Sequence, residues 1–67
     1  MAVYTFVCLT RNQVASLVDV QDLPDEACRH HALGLLREHT STGLVEIWRE
    51  DSVIEVVDRH DARTLAS

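Results

Sequence analysis

The sequence predicts an α+β fold of the order ββαββ, in which a four-stranded, mostly antiparallel sheet carries one helix packed on one face. Three observations predict it: two β-rich segments at the start, one amphipathic segment from Pro24 to about His39, and two further apolar segments after it. A chain of 67 residues has room for one domain only. We therefore expect a single domain over residues 1–58 and a flexible C-terminal tail over residues 59–67.

The first two strands are predicted from apolar, β-branched composition on either side of a polar break. Val3 to Thr10 is rich in β-branched and aromatic residues. Arg11-Asn12-Gln13 follows as a turn, in which Asn12 tolerates a positive φ. Val14 to Val20 then returns beside the first strand, so the two segments form a hairpin.

The helix is predicted to start in the acidic segment from Asp22 to Glu26. Pro24 in the first turn loses no hydrogen bond there, and the acids complement the positive end of the helix dipole. At 100° per residue, Leu33 points away from the buried stripe. The members of that stripe are Pro24, Cys28, Ala32, Leu35, Leu36 and His39. Gly43 is expected to end the helix in a left-handed conformation.

Two apolar segments around a short polar break predict the second hairpin. They run from Leu44 to Arg49 and from Val53 to Val57, and Glu50-Asp51-Ser52 lies between them. Beyond Asp58 the apolar pattern stops, as is typical of a terminal tail.

The predicted sheet has apolar side chains on both faces, whereas one helix covers only one face. In the first strand, for example, Val3 and Val7 oppose Tyr4 and Phe6. A large uncovered apolar face is typical of an interface, most often that of a two-fold homodimer. Trp48 is the expected anchor of this interface. The full set of predicted contact residues is Trp48, Leu44, Val53, Val57, Tyr4 and Phe6.

Charge and composition argue against two classes of partner. Six basic side chains stand against eleven acidic ones, and a net charge of −5 repels a phosphate backbone, so we expect no nucleic-acid partner. No segment approaches the roughly 20 apolar residues of a membrane span, and the start lacks the features of a signal peptide. Two cysteines, read as free thiols, favour a cytoplasmic location.

The densest group of reactive side chains lies in the helix. Cys28 and His31 are three residues apart, His39 shares their stripe, and Cys8 lies on the first strand, so these four are candidate metal ligands. They define an alternative function, a small metal- or redox-responsive protein. Because no Cys-x-x-Cys pair accompanies them, we favour buried thiols and solvated histidines. We therefore predict no catalytic residue, no cofactor and no enzymatic activity.

The order of elements also carries a resemblance. Leu23-Pro24-Asp25, the helix segment Ala27-Cys28-Arg29-His30-His31-Ala32-Leu33 and the strand Val45-Glu46-Ile47-Trp48 resemble a group of small uncharacterised bacterial proteins with a Leu-Pro-Asp helix entry. This resemblance implies the ββαββ architecture and no assigned activity. A minor alternative is an antitoxin-like regulator, since such domains pair a small sheet with one helix. The expected function is thus a homodimeric interaction module that binds an unknown protein partner.

Overall fold

The computed structural model describes residues 2–60, and it confirms the α+β fold with the order ββαββ. The elements are β1 (Ala2–Thr10), β2 (Ala15–Leu23), α1 (Asp25–Glu38), β3 (Thr42–Arg49) and β4 (Ser52–Asp58). The strands form one sheet in the order β2-β1-β3-β4, and every neighbouring pair is antiparallel. The helix packs on one face of this sheet, mainly over β3 and also over β1 and β4.

The turn between β1 and β2 places its left-handed residue one position later than predicted. Gln13, and not Asn12, has a positive φ of 62°, and its N–H donates to the Thr10 carbonyl at 2.8 Å. Thr10 in turn donates to the Val14 carbonyl at 3.0 Å. A register shift follows between Cys8 and Leu9 of β1, after which the pairing with β2 is regular.

The helix begins at Asp25, within the predicted segment Asp22 to Glu26, but β2 continues through Leu23 and not only to Val20. Pro24 is the N-cap and offers no side-chain cap, so only Asp25 and Glu26 lie in the first turn beside the positive end of the dipole. The Tyr4 hydroxyl donates a hydrogen bond to the Asp25 carboxylate, which ties this first turn to β1.

The helix ends close to the predicted position, but Gly43 is not the residue that ends it. His39 is the C-cap, and its N–H bonds the Leu35 carbonyl at 3.0 Å. Gly43 lies in β3 without a positive φ; a Cβ built there would sit 3.4 Å from the backbone of Arg11. Gly43 thus packs beside the first turn, where a Cβ would make an ordinary van der Waals contact, and does not cap the helix.

The core lies between the helix and the sheet face beneath it. Leu33 belongs to this core at 9% exposure, contrary to the prediction that it points outward, whereas His39 is exposed. The helix is centred over β3 and also contacts β4, so the side of the helix that faces β4 is buried as well. The buried apolar residues are Tyr4, Phe6, Cys8, Cys28, Ala32, Leu33, Leu35, Leu36, Val45, Ile47 and Val57.

The hairpin of β3 and β4 contains a bulge. Ile47 pairs with Glu55 but Trp48 pairs with Val53, so Ile54 is an extra residue in β4. Glu50 opens the connecting turn with a φ of 57°. Glu55 also forms an ion pair with Arg29, which links β4 to the helix.

The described residues extend past the predicted domain boundary at residue 58. Arg59 and His60 form a helical turn, and the Arg59 guanidinium donates to three backbone carbonyls at the end of α1 and the start of β3. These are the carbonyls of Leu36 at 2.8 Å, His39 at 2.9 Å and Thr42 at 2.7 Å. Of the predicted tail, residues 59 and 60 are described and Arg59 contacts the end of the helix, while residues 61–67 lie outside the described part.

Candidate functional site

The face of the sheet opposite the helix, called here the open face, is covered by no element within residues 2–60. The strand register places its side chains in rows that run across the sheet. One row joins Val20, Thr5, Trp48 and Val53. The next joins Val18, Val7, Glu46 and Val56. Two shorter rows at the ends are Val3 with Asp22, and Leu9 with Leu44 and Asp58.

The open face exposes large apolar side chains on β1, β2 and β4. Val3 is 58% exposed on β1, Val20 is 59% exposed on β2, and Val56 is 48% exposed on β4. Trp48 and Leu44 on β3 are half-buried by their neighbours. Scattered exposed valines need no explanation, but a continuous apolar sheet face is the usual mark of an interaction surface.

A single carboxylate stands in the middle of the open face. Glu46 lies between Val7 and Val56 in its row, and its Oε1 accepts a hydrogen bond from the Trp48 indole N–H at 3.2 Å. The bond holds the indole and the carboxylate side by side. The other charged residues in the rows, Asp22 and Asp58, are at the ends, so every charge in these rows is negative.

The structure divides the predicted contact residues between the two faces. Leu44, Trp48 and Val53 lie on the open face, as an interface requires. The others, Tyr4, Phe6 and Val57, are at most 1% exposed in the core beneath the helix, which corrects their assignment as contact residues.

The alternation of side chains between the two faces of a strand explains why the predicted contact residues are divided. Tyr4 and Phe6 have the opposite parity to Val3 and Val7, so they cannot share a face with them. Val53 and Val57 have the same parity, but the extra residue Ile54 moves Val53 to the open face.

Several open-face residues were not in the predicted set. Val18 and Val20 on β2 alternate with Asp19 and Gln21, and this alternation is a signal that sequence reasoning could have used. Val56 gives a weaker signal, because β4 is apolar at nearly every position.

The candidate metal ligands are not brought together. The Cys28 Sγ donates to the Pro24 carbonyl at 3.7 Å, His31 Nε2 lies 2.7 Å from Asp19 Oδ2, and His39 is exposed at the helix end. Cys8 is fully buried on β1. Within residues 2–60, no three side chains of the His, Cys, Asp or Glu type are grouped as metal ligands would be.

The contact of His31 with Asp19 links the helix to β2. Gln21 Nε2 also donates to the Asp19 carboxylate at 3.1 Å, and the Phe6 and His31 rings form a T-shaped contact with centroids 4.6 Å apart. The hydrogen bond from His31 is the main cause that lowers the pKa of Asp19, although partial burial opposes it. Asp19 is therefore an ionised structural partner of the helix.

Both thiols are free and poorly suited to act as nucleophiles. Burial raises the pKa of Cys8, and the charge of Asp19 adds to that effect. Burial also raises the pKa of Cys28, with Asp25, Glu55 and Glu26 contributing in that order. Neither side chain meets the requirement of an accessible thiolate in an electropositive setting.

No helix within the described residues has the length and apolar character needed to cross a membrane. Comparison with protein-family models, with curated proteins and with solved structures found no match. The resemblance to small bacterial ββαββ proteins and the antitoxin-like alternative therefore stay predictions. The function has to be inferred from the chain's own surface.

Proposed function

We propose that this protein is a non-enzymatic interaction module that assembles as a homodimer through the open face of its sheet. The observation that supports the proposal is the exposed apolar rows on a face that nothing in residues 2–60 covers. Water in contact with such a surface is unfavourable by about 25 cal/mol per Å² of apolar area. A second sheet packed on the face removes that cost.

The size of the open face supports a second copy as its occupant. Strands of up to nine residues, with four strands side by side, give a face of about 30 by 19 Å, or roughly 550 Å² in projection. Because side chains protrude, the accessible area is larger than the projected area. It approaches the roughly 800 Å² that each partner buries in a specific dimer of ordinary size.

The order of residues in the rows suits self-association. A two-fold axis that runs parallel to the strands, between β1 and β3, places β1 of each copy over β3 of the other and β2 over β4. Val18 then meets Val56 of the second copy, and Val20 meets Val53. Glu46 meets Val7 and not a second Glu46, so the two central carboxylates do not oppose each other.

The same proposal places the protein in the cytoplasm and leaves room for a further protein partner. Cys8 and Cys28 are unpaired, which suits a reducing compartment. In the dimer the helices lie on the two outer surfaces, so each copy keeps its helix accessible to another protein.

A matched pair of valine substitutions tests the dimer. Val56→Glu puts a charge into the central row of the open face, whereas Val14→Glu puts the same charge on a residue that is 61% exposed outside the strands. We expect sedimentation velocity to show a smaller assembly mass than that of the wild type for Val56→Glu and the wild-type mass for Val14→Glu. Trp48→Glu should behave as Val56→Glu does.

Circular dichroism of each variant checks that the fold is retained. A wild-type chain that sediments as a monomer at roughly 100 μM, a concentration at which even weak dimers form, would overturn the proposal. An equal effect of Val56→Glu and Val14→Glu would also overturn it, because the open face would then have no special role.

A further inference from the structure

We propose that the outer edge of β2 pairs with the same edge of a second copy, antiparallel and in a single register, so that two four-stranded sheets join into one of eight strands. This contact uses backbone groups of a surface separate from the open face. It goes beyond the proposed function, and it stands whether or not the open faces pack together. With both contacts made, each copy has one partner across the open face and another along the β2 edge.

The outer edge of β2 is unpaired within residues 2–60. β2 is the first strand in the sheet order, so only β1 lies beside it. Alternate residues of an edge strand direct both their N–H and C=O groups away from the sheet. None of the turn, loop and cap hydrogen bonds between backbone groups in the described residues involves Ala15–Leu23. These groups are therefore available to another strand.

Of the usual protections of an edge strand, the regularly paired section of β2 has only charged side chains, those of Asp19 and Asp22. Natural edges are blunted by proline, lysine, a bulge or short length. β2 is nine residues long, and its section from Leu17 to Leu23 pairs with β1 without a shift and contains neither proline nor lysine. Leu17 and Val18, on opposite faces of the strand, are both exposed. The strand thus presents a straight edge with apolar side chains on both sides.

The opposite edge of the sheet is different. β4 has seven residues, carries the extra residue Ile54 and has Glu55 engaged with Arg29. A bulge bends and twists an edge and interrupts its hydrogen-bonding pattern. The contrast between the two edges indicates that β2, and not β4, is the edge that accepts a partner strand.

The sequence of β2 is self-complementary in one register. In an antiparallel pair centred on Val20, that residue faces its own copy on the open face, and Val18 faces Asp22. On the helix face, Leu17 faces Leu23 and Asp19 faces Gln21 of the second copy. The last pairing repeats between copies the contact that Gln21 already makes with Asp19 within one copy.

Neighbouring registers are poorer. A pair centred on Asp19 brings two carboxylates directly opposite each other, which is destabilising in a sheet. A pair centred on Gln21 sets Asp19 against Leu23, and one centred on Val18 sets Asp19 against Leu17. Only the register centred on Val20 joins apolar to apolar and polar to polar residues on the helix face.

The helix leaves space for this contact. It packs mainly over β3, and His31 makes its one hydrogen bond to β2, at Asp19. Leu17 remains 37% exposed on that face, so the helix does not cover the start of β2. In a second copy related by a two-fold axis perpendicular to the sheet, the helix likewise packs mainly over its own β3, away from the joined β2 edges.

Disulfide trapping tests the register with two matched valines. Val18 and Val20 are 58% and 59% exposed on the same strand and face. In the Val20→Cys variant the two introduced cysteines flank the axis with their Cα atoms about 4.5–5.5 Å apart, within the range of a disulfide. In the Val18→Cys variant the two introduced cysteines are offset by four residues, or about 13 Å, which is out of reach.

Both variants are made in the Val56→Glu background, which removes contact through the open face, and the buried Cys8 and Cys28 are retained. We expect Val20→Cys to form a covalent dimer at least about tenfold faster than Val18→Cys under mild oxidation, because only the first pair lies in range. Equal rates, or a faster reaction of Val18→Cys, would overturn the register.

A second measurement does not depend on oxidation. In the same background, the chain should sediment as a dimer, and Val20→Lys should convert it to a monomer because two ammonium groups would then face each other. A monomer before the Val20→Lys substitution would overturn the edge contact. Failure of the open-face proposal gives a different result from failure of the edge contact. In that case the Val56→Glu variant would sediment with the same mass as the wild type.

Discussion

The hydrogen bonds of the Arg59 guanidinium give the sharpest prediction about stability. The guanidinium bonds the carbonyls of Leu36, His39 and Thr42, which belong to the end of the helix and the start of β3. Arg59→Ala leaves these carbonyls without that donor and removes a positive charge from the negative end of the helix dipole. We expect the free energy of unfolding to fall.

The magnitude follows from the contacts. A hydrogen bond to a charged group contributes about 1.5–3 kcal/mol, and a cation at a helix C-terminus about 0.3–1 kcal/mol. Water reaches part of this site, since the His39 contact is exposed, so we expect a total loss of about 2–3 kcal/mol. In a domain of this size that corresponds to a decrease in Tm of roughly 10–20 °C.

Urea unfolding followed by far-UV circular dichroism measures this loss, at a fixed protomer concentration because self-association adds to apparent stability. Arg37→Ala is the matched control: Arg37 lies exposed in the last turn of the same helix and should change stability by less than about 1 kcal/mol, since it loses only the interaction with the helix dipole. Arg59→Lys keeps the positive charge but loses the planar guanidinium with its several N–H donors. We therefore expect its loss of stability to lie between those of Arg37→Ala and Arg59→Ala. Equal effects of Arg59→Ala and Arg37→Ala would refute the reasoning.

Three further predictions concern buried and titrating groups. The Thr42 hydroxyl is buried and has no partner in the described part of the chain, so Thr42→Val should raise stability by about 1 kcal/mol in the same urea assay. The lowered pKa of Asp19 means that its contribution is complete above the ordinary value of 3.8 and is lost as pH falls through the lower value of the folded state. Acid titrations of stability should therefore show a shallower loss for Asp19→Asn than for the wild type. Finally, Cys8 and Cys28 should not react with a thiol reagent at about pH 8 until the protein is unfolded, because burial raises the pKa of both.

Each of these predictions has a result that contradicts it. A lower stability of Thr42→Val would mean that the hydroxyl has a partner after all. His31→Gln should flatten the acid titration in part, since His31 is the main cause of the shift at Asp19, and an unchanged profile in both variants would rule out that link. Rapid reaction of either thiol in the folded protein would show that its segment opens readily.

The fold was predictable because its signals are local. The composition of Val3 to Thr10 and the amphipathic period after Pro24 each indicate one element, and the two hairpins leave a single helix between them. The boundaries were less accurate, because Asp22 reads as a helix start although it pairs with Val3 in the sheet. A pairing that lies in another element overrides the local preference.

The candidate site was predictable only in outline. That one apolar face would remain uncovered followed from alternation, and Trp48 and Leu44 were placed on it correctly. Which of the two apolar rows of β1 the helix covers could not be read from the sequence, since both are apolar, and Tyr4 and Phe6 were assigned to the wrong face. The role of Arg59 was likewise hidden, because its partners are backbone carbonyls 17 to 23 positions away.

The sheet order has a consequence for how the chain folds. Each hairpin closes between neighbours in sequence, but the two halves join only when β1 meets β3, as in the pair of Thr5 with Trp48. Bringing together positions so far apart is entropically costly, and such pairings slow folding. The edge of β1 that pairs with β3 therefore stays unpaired in the first hairpin until β3 is available beside it.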